Sequence, residues 1–83
     1  MVFLVLSRQG YDDLIRQLSH APSPIWVNTD ILSDAEMVSI RDTGVNLTNF
    51  LFRIDPSSLD EIADAVDTVR QHHPDDTIRV EQR

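Results

Sequence analysis

The chain contains no cysteine and no lysine. Without cysteine there is no disulfide, no thiol nucleophile and no thiolate metal site. Without lysine there is no Schiff base and no P-loop lysine to hold a phosphate. Basic charge is scarce as well: seven arginines face fourteen acids, a formal net charge of -7. A surface of that sign repels a phosphate backbone, because nucleic-acid affinity rests on basic side chains displacing counterions. Anionic lipid is repelled for the same reason. Neither nucleic acid nor membrane is an expected partner.

Long apolar runs are missing too. The opening Met1–Leu6 is too short to span a bilayer and lacks the basic flank of a signal peptide. It is read as a strand, and the protein as cytoplasmic. Asn46-Leu47-Thr48 has the form of a glycosylation sequon, which without a secretory signal is a chance match.

What is present is a globular composition, 41% hydrophobic over 83 residues. That length makes one α/β domain, 1–83, near the lower limit for a self-sufficient core. A site buried between two domains is excluded. Any site must be a shallow cleft or be completed by a second copy.

Four apolar runs alternate with three helical patterns. Val2–Leu6 is continuously apolar, as suits a strand covered on both faces. Tyr11, Leu14, Ile15 and Leu18 then form one helical stripe, which the prolines at 22 and 24 end. Ile25–Val27 is a short second strand. Ser33 and Glu36 have capping-box spacing, and the helix they open runs through Met37, Val38 and Ile40 to Gly44, a C-cap glycine. Val45–Ile54 holds a third strand whose apolar parity slips, which predicts a break near Thr48-Asn49. The segment from Asp55 to Pro74 reads as a helix. Asp55 or a following serine caps it, Pro56 takes the first position, and Leu59, Ile62, Ala63, Val66 and Val69 form the buried stripe. Asp60, Asp64 and Asp67 lie opposite. Thr77–Glu81 alternates like an edge strand. The order βαβαβαβ predicts a mostly parallel four-stranded sheet with helices on both faces, the last strand being free to run either way.

In such sheets ligands bind beyond the carboxyl ends of the strands. That rule selects Ser7, Arg8, Asn28, Asp30 and Asp55 as candidate ligand-binding residues. The turn Ser7-Arg8-Gln9-Gly10 offers backbone N–H groups and a guanidinium to an anion. Asp12 and Asp13, expected in the first helical turn, oppose that by satisfying the helix dipole themselves. Arg8 is therefore expected to pair with Asp30 or Asp55, or to await a ligand. Asp30, Asp55 and Asn28 offer oxygen ligands to Mg²⁺, but capping and turn formation are the ordinary uses of Asp at such positions. His72 and His73 are neighbours that do not share a helix face; like His20 they suit a helix's last turn. No G-x-S-x-G or HExxH spacing exists. Trp26 and Phe50–Phe52 are read as core.

The resulting expectation is a non-enzymatic protein-interaction or regulatory module without a cofactor or metal, its partner another protein or a second copy paired through the edge strand. The alternatives are an anion or small-molecule binder at Ser7, Arg8, Asn28 and Asp30, and a Mg²⁺-dependent phosphoester hydrolase using Asp30 and Asp55.

Overall fold

The computed structural model describes residues 1–17 and 23–81. Leu18, His20 and Pro22, assigned above to the end of the first helix, lie outside the described residues. The chain runs β1 (Val2–Val5), α1 (Arg8–Gln17), β2 (Ile25–Val27), α2 (Asp34–Asp42), β3 (Leu47–Asn49), α3 (Leu59–His72) and β4 (Ile78–Val80). The strands form one sheet in the order β3-β2-β1-β4. All three pairings are parallel, so the last strand joins the others in direction.

Alternation along the strands divides the core in two. Val2, Leu4 and Leu6 point with Trp26, Phe50 and Ile54 toward Ala65 and Val69 of α3. Val5, Ile25, Val27 and Leu47 point the other way, toward Tyr11 of α1 and Met37 of α2. Two helices thus cover one face and α3 covers the other, as right-handed crossovers require when β4 is laid on the far side of β1. Each fully buried Val, Leu or Ile contributes roughly 1.5–3 kcal/mol, so the sheet is held mainly by these two apolar layers.

The α2 cap is as the spacing predicts: the Ser33 side chain accepts from Glu36 N–H and the Glu36 carboxylate accepts from Ser33 N–H. Gly44, just past Thr43 at the C-cap, has φ 94°, the left-handed conformation that favours glycine. Three boundaries differ. Helix α1 begins at Arg8, so Asp12 and Asp13 fall in its second turn and its first turn holds no acid. β3 ends at Asn49, where the parity slip lies, and Leu51 and Phe52 are 96% and 59% exposed. Helix α3 is capped by Ser58, the serine alternative to Asp55, and so begins at Leu59, with Pro56 in the turn before it and not at the first helical position. This places Leu59 at the first helical position beyond the sheet, 83% exposed, while Ala65 replaces Ala63 in the buried stripe. Ile15 is likewise exposed, because α1 lies over β1 with only Tyr11 and Leu14 turned inward. Among the described residues no helix is long and apolar enough to cross a membrane.

Candidate functional site

The chain steps outward from β1 to β3 and then crosses back to lay β4 on the other side of β1. The carboxyl ends of β1 and β4 therefore flank the switch in strand order, the place where doubly wound sheets open a crevice. Ser7 follows β1 there. Its Oγ accepts from Gly10 N–H at 3.1 Å and so caps α1.

The crevice is already occupied by an anion from the chain itself. Glu81, just past β4, accepts from Leu6 N–H at 2.8 Å, Ser7 N–H at 2.9 Å and the Ser7 hydroxyl at 2.6 Å. Charge-assisted bonds of this kind are short and strong. The carboxylate also supplies the negative charge that the α1 N-terminus lacks in its own first turn. Gly10 makes the approach possible: a Cβ there would overlap the carboxylate and come 2.8 Å from Glu81 Cγ. A glycine inside a helix costs about 1 kcal/mol against alanine, and here the missing Cβ is what admits Glu81.

From this point an open groove of about 1100 Å³ runs along the sheet face beside α1. Met1, Phe3 and Leu14 give it an apolar floor, and Gln17, Arg79 and Asp13 stand around it. The groove exists because α1 covers β1 and β2 while no described helix covers β4 on that face.

The other candidates are each engaged locally. Asn28 is 2% exposed. Its Nδ2 donates to Leu6 O and Ile54 O, at 3.0 and 2.7 Å. Its Oδ1 accepts from Thr29 and Ile54 N–H, at 2.9 and 2.8 Å. The side chain ties the ends of β1 and β2 to the loop before α3, and has no hydrogen-bonding capacity left for a ligand. Arg8 pairs neither with Asp30 nor with Asp55. It donates to Glu36 at 2.7 Å and to Asp12 at 3.2 Å, joining α1 to the cap of α2. Glu36 is held below the usual carboxylate range by Ser33 N–H and by Arg8, while Arg8 is raised chiefly by its bond to Glu36. Asp30 is exposed in a tight turn with φ 71°, a conformation Asp tolerates better than most residues. Asp55 Oδ1 accepts from the Ser57 N–H and hydroxyl, at 2.9 and 2.7 Å, and these bonds lower its pKa. It borders a shallow hollow with Arg53 and Glu61. Among the described residues no three His, Asp or Glu side chains gather to hold a metal ion. His72 and His73 lie against Trp26, their ring centroids 5.3 and 6.2 Å away, and His73 Nδ1 faces Asp76 at 3.5 Å.

The two sheet edges are finished differently. On β3, the Leu47 carbonyl points outward and is capped by Arg41, whose Nε and Nη2 donate at 3.1 and 3.0 Å. On β4, the outward backbone groups belong to Ile78 and Val80, and no described side chain caps them. Glu81, Gly10, Arg41 and Arg79 are the positions at the candidate site and the sheet edges that sequence reasoning missed. Only strand order reveals them, because order decides what lies beside β1. The one available signal was a glycine at the third position of a helix.

No family model, curated protein or solved structure matches this chain.

Proposed function

We propose that this chain is a non-enzymatic protein-interaction domain, and that the protein it takes up is a second copy of itself along the outer edge of β4. The observation that carries the proposal is a difference between the edges: Arg41 covers the Leu47 carbonyl of β3, while no described side chain covers the outward backbone groups of Ile78 and Val80 on β4. An uncapped edge is a template for another strand. The uncovered groove beside it, floored by Phe3 and Leu14, supports the same conclusion. So does the local engagement of Asn28, Arg8 and Asp55, which leaves the anion and metal alternatives with few donors or ligands. A phosphate at Ser7 would have to displace a carboxylate that already has three donors.

Sedimentation of the full chain over a wide concentration range tests the proposal. A monomer-to-dimer shift is expected. A chain still monomeric at about 1 mM, where association would be worth only ~4 kcal/mol, overturns it.

A further inference from the structure

We infer that the two copies join along β4 in an antiparallel register centred on Val80, so that Arg79 of each copy faces Glu81 of the other. This rests on the self-association proposed above and fixes its geometry.

The backbone limits the choice. Val2 N–H donates to Thr77 O at 2.8 Å and Glu81 N–H donates to Leu4 O at 2.9 Å. Residues 77, 79 and 81 therefore turn their backbone groups toward β1, and Ile78 and Val80 turn theirs outward. An antiparallel mate must bond to those outward groups, which leaves three positions for a two-fold axis within the strand, at Ile78, Arg79 or Val80. With the axis at Ile78, the two isoleucines exchange N–H···O bonds and each Arg79 stands opposite the neutral Thr77 of the second copy. With the axis at Arg79, Ile78 bonds to Val80 of the second copy. The two arginines then stand directly opposite, in the closer type of pair with Cα atoms about 4.5 Å apart. Like charges so placed destabilise a sheet. With the axis at Val80, the two valines exchange N–H···O bonds, and each arginine stands opposite a glutamate. Charge selects the axis at Val80, because only there do opposite charges stand face to face.

The faces agree. Ile78 and Val80 pack on the α3 side, so valine meets valine over the apolar layer. Arg79 and Glu81 border the groove, so the charged pairs form on the open face. Glu81 keeps its bonds to Leu6 and Ser7. The charge of the carboxylate attracts the guanidinium on the mating strand without displacing those bonds. The axis stands perpendicular to the sheet, so both grooves open on the same side and merge into one trough between two copies of α1. Each copy spends its β4 edge in the pair, and at the β3 edge Arg41 covers the Leu47 carbonyl.

A chain without cysteine makes the test direct. In this register Val80 stands opposite itself with Cα atoms ~5.5 Å apart, a separation a disulfide spans, whereas the two copies of residue 79 are offset beyond its ~7 Å limit. Val80→Cys should therefore cross-link to a dimer under mild oxidation and Arg79→Cys should not. Arg79→Glu should weaken sedimentation-measured association about tenfold, by replacing two attractive pairs with two repulsive ones. If Arg79→Cys links instead, or Val80→Cys does not link in a chain that sediments as a dimer, the register is overturned and self-association stands. An unmodified chain that remains monomeric overturns both. Where Val80→Cys fails to fold, isotope-mixed native protein reads the same geometry by NMR. An intermolecular contact between the α-protons of Arg79 and Glu81 supports the register, and one between two Arg79 α-protons overturns it.

Discussion

Gly10 and Glu81 form one feature made of two distant residues. A helix interior prefers alanine to glycine by about 1 kcal/mol, yet a Cβ at position 10 would occupy the space of the Glu81 carboxylate. Glu81 is flexible enough to move aside, but only by giving up its bonds to Leu6 and Ser7. Charge-assisted bonds are worth roughly 1.5–3 kcal/mol where they are shielded and less where, as here, they are only part-buried. Their combined loss should exceed the gain in helix propensity. Gly10→Ala is therefore expected to destabilise the native chain by about 1 kcal/mol. In a Glu81→Ala background the space is vacant, and the same substitution should stabilise by up to ~1 kcal/mol. Urea unfolding of the four members of this cycle measures the reversal. An effect of the same sign in both backgrounds would show that Gly10 is not there to admit Glu81. Asn28 is a second case in which a polar residue at the strand ends serves the fold: its four bonds are all to backbone.

At the scale of elements, most of the fold was legible in the sequence. The continuous apolar run of β1, the capping box at Ser33 and Glu36 and the glycine at 44 each carry a local physical reason, and each is where that reason puts it. The parity slip in the third strand marks its end at Asn49. The cap of α3 was open between Asp55 and a following serine. Ser58 takes it because Asp55 is held in a turn by Ser57, which leaves Pro56 ahead of the first helical position. The site was far less legible, since Arg8, Gly10 and Glu81 acquire partners only through strand order and helix packing. The link between α1 and the α2 cap has a signature in pH. Glu36 is lowered from its ordinary 4.5, first by Ser33 N–H and then by Arg8. Because the folded carboxyl binds its proton less readily than the unfolded one, its contribution is present above pH 4.5 and fades as the pH falls through the lower folded value. Glu36→Gln retains an oxygen for Ser33 N–H but loses the charge facing Arg8. Its melting temperature should fall less steeply in acid than that of the native chain. Identical acid limbs would mean that the Arg8–Glu36 pair adds nothing to the cap.

For the whole molecule, net charge and edge pairing act against each other. Each copy carries -7. Two such bodies at roughly the 27 Å width of the molecule repel by about 7 kcal/mol in unscreened water. The two Arg79–Glu81 pairs of the proposed dimer, on its open face, return only about 0.2–1 kcal/mol each. At low ionic strength repulsion therefore governs, because the Debye length of ~30 Å at 0.01 M exceeds the separation of the charges. At 0.15 M the Debye length is about 8 Å, and the long-range repulsion falls to a few tenths of a kcal/mol. The close pairs are screened much less over their few ångströms. Association should accordingly strengthen as salt rises to physiological strength, the reverse of what an interface assembled by opposite net charges would do. Lowering the pH toward the isoelectric point near 4.5 should act in the same direction until acid unfolding intervenes. Sedimentation across a salt series at constant protein concentration measures this. A dimer that dissociates steadily from 0.01 M to 0.15 M salt would place the dominant charges at the interface itself, and would count against an edge joined by backbone bonds with Arg79 and Glu81 only setting its register.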